Sequence, residues 1–117
     1  ALQQTYDRFA RILPPENIFV NTNEEYADLV REQLPQLDAS RMLAEPIHRG
    51  TAPSVAWATH RIIHINPNAN IIVTPSDLTI IGEEQFKESV DRAFCFVAEH
   101  KRVLAMGVKP PRPEPGY

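Results

Sequence analysis

Apolar residues recur along this chain in two alternating rhythms, one helical and one of strand type. Leu2, Tyr6, Phe9 and Leu13 fall at helical spacing, and Pro14-Pro15 end that helix before the short strand-type run NIFVNT, 17–22. From Glu24 to Leu34 a second helix shows its apolar face in Tyr26, Leu29, Val30 and Leu34, with Asn23 as N-cap and Pro35 as terminator. RMLAEP, 41–46, reads as another short strand. Thr51 is placed to cap a third helix that tolerates Pro53 in its first turn, buries Val55, Ala58, Ile62 and Ile63, and ends near Asn66-Pro67.

NIIVTP, from Asn70 to Pro75, is a continuous apolar run of the kind found in strands covered on both faces, which makes it the expected central strand. Phe86, Val90, Ala93, Phe94 and Val97 mark a fourth helix from about Glu83 to His100, and RVLAMGVK, 102–109, supplies a last strand. PPRPEPGY, 110–117, is too rich in proline for a regular element. Helix and strand therefore alternate. The pattern predicts an α/β fold whose connections are short enough for parallel crossovers, without internal repeats or low-complexity segments.

Size changes this picture little, since 117 residues with 43% hydrophobic content make one domain, 1–117, with a real core. A net charge of −3 gives no electrostatic ground for nucleic acid or an anionic membrane as partner. No run approaches the roughly 20 apolar residues that cross a bilayer, and LQQTYDRFARIL resembles neither a basic leader nor a signal peptide. The one cysteine, Cys95, has no internal disulfide partner and is expected as a small core residue, so a reducing, cytoplasmic setting fits.

Candidate chemistry gathers where apolar runs end, because ligands of open parallel sheets bind outside the carboxyl ends of the strands. Asn21 to Asn23, Glu45-Pro46, Pro75-Ser76-Asp77 and the residues from Gly107 onward hold those positions. Asp77 admits two readings: a carboxylate that bridges Mg²⁺ to phosphate oxygens, or a common turn residue after Pro75-Ser76. Glu45 offers two acceptor oxygens, the complement of guanine's N1–H and exocyclic amino group. Arg49 suits a phosphate, a stacked base or a surface ion pair, and Thr51 with Ala52 opens a helix whose free N–H groups suit an anion or a base carbonyl. His48, His60, His64 and His100 lack ligand-type pairing with Cys or acidic residues, and His60 and His64 share a helix without an HExxH pattern, so zinc is not expected. Ser54 and Ser76 lack nucleophile-elbow glycines, and Trp57 reads as packing at the edge of the core.

Taken in order, LQQTYDRF, NEEY, AEPIHRGTAP (44–53), IIVTPSD (71–77) and GVKPPRPEPGY (107–117) resemble the mannose-1-phosphate guanylyltransferases, sugar nucleotidyltransferases that make GDP-mannose. The resemblance covers nearly the whole chain. It implies a three-layer Rossmann-like nucleotide-diphospho-sugar transferase fold with a mainly parallel sheet, present here incompletely as a partial domain. It implies a guanine pocket of Glu45, Pro46, Arg49, Thr51 and Ala52, and a metal-binding catalytic aspartate, Asp77, with Mg²⁺ as cofactor. It also implies that Gly116 and Tyr117 approach the hexose, with Lys109 and Arg112 adding positive potential. The substrates would be GTP and mannose 1-phosphate. Gly50 stands where the family usually has Asn, Leu78 where it usually has His, and Pro111 and Pro115 where it usually has Thr.

On the same resemblance the family's glycine-rich phosphate loop belongs before Ala1, so the chain reads as an internal fragment, inactive alone, whose exposed sheet edges favour a homodimer or strand exchange. The alternatives are another sugar-1-phosphate nucleotidyltransferase and a non-catalytic nucleotide-binding α/β module. The expectation that organises the rest is that Glu45 and Asp77 converge on one cleft.

Overall fold

The computed structural model describes residues 1–77 and 80–107. Helix α1 spans Leu2–Ala10 and buries Tyr6 and Phe9 one turn apart. It stops short of Leu13: Ile12 and Leu13 donate to the Phe9 carbonyl in a closing turn, since the residue before Pro14 is disfavoured in helical conformation. Strand β1, Val20–Asn23, follows a short 3₁₀ turn at Pro15–Asn17. The Asn23 side chain then accepts from the Tyr26 N–H at 3.1 Å, the predicted cap. Beyond it the chain makes a 3₁₀ turn, Glu24–Tyr26, before helix α2, Ala27–Gln33.

Strand β2, Met42–Glu45, pairs in parallel with β1 in the register Val20↔Met42, Asn21↔Leu43, Thr22↔Ala44 and Asn23↔Glu45. The unit β1–α2–β2 is thus an α/β crossover with a two-stranded parallel sheet. Its core joins Tyr6, Phe9, Ile18, Val30 and Leu34, with Val20, Met42, Ile72 and Phe86 packed against them. Leu34 is 1% exposed. Helix α3, Thr51–Ile65, packs on β2, and helix α4, Glu83–Glu99, returns to α1 through an edge-to-face contact of Phe9 and Phe86, ring centroids 5.7 Å apart.

Four sequence expectations are corrected. The apolar run 70–75 is not a strand: it makes no backbone–backbone hydrogen bond to another described residue, although Ile72 packs on the core. Residues 102–107 of the expected last strand form none beyond the local contact of the Arg102 N–H with the His100 carbonyl, and all of them are exposed. Apolar character creates a demand for burial, but a strand also needs a neighbour with free N–H and C=O groups. The α3 stripe is not a core stripe, since Val55, Ala58 and Ile62 are only half-buried and Ile63 is exposed; a two-stranded sheet is too narrow to cover a 15-residue helix. Cys95 is exposed rather than packed.

Candidate functional site at the end of strand β2

The period-two alternation of β2 places Glu45 on the same face as Leu43, and both are buried, at 5% and 3% exposure. A carboxylate therefore lies inside the protein at the carboxyl end of a parallel strand. His48 approaches it, with Nδ1 3.7 Å from Glu45 Oε2. That distance is beyond a hydrogen bond, so the carboxylate keeps its capacity to accept N–H donors. Pro46, Ile47, His48 and Arg49 are exposed.

Gly50 turns the chain from this loop into α3. Its φ of 98° and ψ of −177° belong to a region that only glycine enters without strain. No atom lies within 4 Å of the place a Cβ would take, so the requirement is one of backbone conformation and not of space. Gly50 is also the N-cap of α3, and this corrects the expectation for Thr51, which is the first helical residue and makes no capping hydrogen bond. Thr51 and Ala52 are exposed in the first turn, whose leading N–H groups have no intrahelical acceptor, and Ser54 N–H closes the helix onto the Gly50 carbonyl at 3.2 Å. Asn21 fixes this turn to the sheet, its Nδ2 lying 2.6 Å from Ser54 Oγ. The sequence places Asn21 at a strand end without a role; its contact with Ser54 comes from the fold.

The structure thus gathers Glu45, Pro46, Arg49, Thr51 and Ala52 in one connection between β2 and α3. Asp77 lies on an exposed turn. That turn is held to α1 by the Thr5 hydroxyl, which donates to the Ser76 carbonyl at 2.8 Å. No hydrogen bond or ion pair among the described residues joins Asp77 to residues 45–52. Leu78, Lys109, Pro111, Arg112, Pro115, Gly116 and Tyr117 lie outside the described residues.

Among the described residues no group of three or more His, Cys, Asp or Glu side chains is arranged to enclose a metal ion. Mg²⁺ seldom needs such a cage, because it keeps several waters and is held by one or two carboxylates together with substrate phosphates. The exposed carboxylate of Asp77 fits that manner of binding. No helix among the described residues is long and apolar enough to cross a membrane.

No protein-family model matches the chain, and no solved structure matches it significantly. Curated sequences do. The chain is 36% identical over 118 aligned residues to Xanthan biosynthesis protein XanB of Xanthomonas campestris, covering 99% of this chain and 25% of that protein. It is 35% identical over 101 residues to a mannose-1-phosphate guanylyltransferase of Sinorhizobium fredii, covering 84% of this chain and 20% of that one. To a mannose-1-phosphate guanylyltransferase of Salmonella montevideo it is 33% identical over 118 residues, covering 99% and 24%. The chain spans about a quarter of the length of the curated relatives it matches. Across nearly all of its own length, then, it is homologous to a segment of the mannose-1-phosphate guanylyltransferases.

Proposed function

We propose that this chain is the base-reading and metal-holding segment of a mannose-1-phosphate guanylyltransferase that joins GTP to mannose 1-phosphate. In that reaction an oxygen of the sugar phosphate attacks the α-phosphorus of GTP in line. The bond from the α-phosphorus to the oxygen bridging it to the β-phosphorus breaks, so pyrophosphate leaves and GDP-mannose remains. The wider fold of such an enzyme is the three-layer Rossmann-like arrangement, of which the β1–α2–β2 crossover is one unit.

The observation that carries this reading is the burial of Glu45 at the carboxyl end of β2, 5% exposed, beside the open first turn of α3. Two carboxylate oxygens match two adjacent donors, guanine N1–H and its exocyclic amino group. Adenine presents an acceptor at N1, and uracil or thymine offers a single N–H between carbonyls. Each would leave a buried carboxylate oxygen without a partner, at a cost of about 1–3 kcal/mol. The Thr51 and Ala52 N–H groups suit the base carbonyl, and Arg49, exposed beside them, suits a phosphate or a stacked base.

Asp77 is the residue that would hold Mg²⁺ with the nucleotide phosphates. A bound Mg²⁺ supplies neutralisation of charge on the phosphate oxygens. Gly116 and Tyr117 take the sugar-facing role, and a reducing cytoplasmic setting suits the lone exposed Cys95. Unpaired sheet edges favour association with a second copy, which light scattering would detect. The four glycines, at 50, 82, 107 and 116, form no glycine-rich phosphate loop, so binding without turnover is expected of these residues alone.

Thermal shifts with GTP, UTP, dTTP and ATP in the presence of Mg²⁺ test the reading. GTP should stabilise the chain most. A larger shift with UTP or dTTP would assign it to another sugar-1-phosphate nucleotidyltransferase, and equal shifts with all four would reject base reading by Glu45.

A further inference from the structure

We propose that His60 and His64 form a two-imidazole site for a borderline divalent transition ion of the Cu²⁺ or Zn²⁺ class. The two residues are one turn apart on α3, which places them on the same helix face. Their rings lie 4.7 Å apart between centroids at an interplanar angle of 61°, and both residues are exposed. His64 Nδ1 is 3.0 Å from the His60 carbonyl oxygen. A carbonyl only accepts, so Nδ1 carries the hydrogen, and the neutral ring keeps its lone pair at Nε2. Metal-binding imidazoles are oriented this way, with one nitrogen donating to a carbonyl and the other left for the ion; His100 makes the same contact with the Phe96 carbonyl at 2.9 Å, and what sets His64 apart is the second imidazole one turn away.

Two imidazole nitrogens bound to one ion at about 2.0–2.1 Å each sit roughly 3 Å apart. Exposed rings reach that separation by side-chain rotation, with the helix unchanged. The remaining positions open onto a cleft of about 510 Å³ that Ser40, Leu43, Arg61 and Ile65 also line, with room for coordinated water. Arg61 is the cation that opposes a metal here, and its guanidinium is drawn over the Trp57 ring, 5.5 Å from the centroid and one turn toward the helix start. Imidazole prefers Cu²⁺ and Zn²⁺, whereas a lone carboxylate with phosphates prefers Mg²⁺, so this site and Asp77 do not compete for one ion. The site is independent of the guanine reading, because it lies in the second half of α3 and uses none of residues 45–52.

The experiment is a titration of the chain with Cu²⁺, followed by calorimetry and electron paramagnetic resonance. One ion per chain should bind with the nitrogen signature of two imidazoles. His60→Gln and His64→Gln should each weaken binding by about tenfold or more through loss of chelation, whereas His48→Gln and His100→Gln should leave it unchanged. In the unsubstituted chain, Cu²⁺ should broaden the imidazole resonances of His60 and His64 before those of His48 and His100. Wild-type affinity in either α3 variant, equal broadening of all four histidines, or a site that takes inorganic phosphate in place of the metal would overturn the proposal.

Discussion

MLAEP and IIVTPSD look alike as sequence, each an apolar run that ends in a proline and a carboxylate, yet they have opposite fates. The first becomes β2, pairs with β1 and carries Glu45 into the interior. The second stays outside any ladder, rests on the core through Ile72 and on α1 through one hydrogen bond, and leaves Asp77 exposed. The difference lies in the neighbour and not in the run. A strand is a relation between two segments, and 42–45 pairs with β1 whereas 70–75 pairs with no described strand.

The largest test of that contrast is truncation of the matched apolar residues. Leu43→Ala removes a side chain 3% exposed in a paired strand and should cost about 2–5 kcal/mol in urea unfolding. Ile72→Ala, from a half-buried side chain, should cost roughly 1–2 kcal/mol. Equal losses would mean that the two runs are equally integrated.

Next in size is Gly50→Ala. Nothing crowds the position, so the loss of roughly 1–3 kcal/mol would come from backbone strain alone. Gly50→Asn, which restores the residue usual in the resembled family, should be destabilised by a similar amount at this φ and ψ. An Asn variant as stable as the original would show that the loop adopts another conformation in solution.

Thr5→Val removes the hydroxyl that anchors Ser76 and should cost about 1 kcal/mol. Proteolytic cleavage should speed up in 70–77, whereas hydrogen exchange in 42–45 should remain unchanged.

The smallest effect belongs to Asp38. Hydrogen bonds from the Ser40 N–H and hydroxyl, with help from the Arg41 charge, hold its carboxyl below the ordinary 3.8. Its contribution is therefore complete above that ordinary value and fades as the pH falls through the depressed one. Asp38→Asn should flatten this acid-side loss without altering stability differences between Leu43 and Ile72 variants.

Much of the architecture was legible in the sequence. Pro14, Pro35 and Asn66-Pro67 marked helix ends, Asn23 marked a cap, and the α4 stripe correctly pointed inward at Val90, which is fully buried. The same patterns misled at 70–75 and 102–107, because hydrophobicity reports what a segment must cover and is silent about which backbone will pair with it. Cys95 and Ile63 misled for a related reason, since a helical stripe is buried only where another element arrives to cover it. At the site, residue types pointed to Glu45 and Asp77, but the conformation of Gly50 and the anchoring roles of Thr5 and Asn21 depend on contacts between distant segments. His60 and His64 carry no metal-binding sequence motif, and the edge contact of their rings follows from their one-turn spacing on α3.

Glu45→Gln tests the account most directly, by calorimetry with guanosine and adenosine. The Gln side chain keeps the shape of Glu45 but replaces one acceptor with a donor, so the original chain should prefer guanosine and the variant should lose that preference by about tenfold or more. A variant that retains full preference for guanosine would contradict the assignment of Glu45 as the base-reading group.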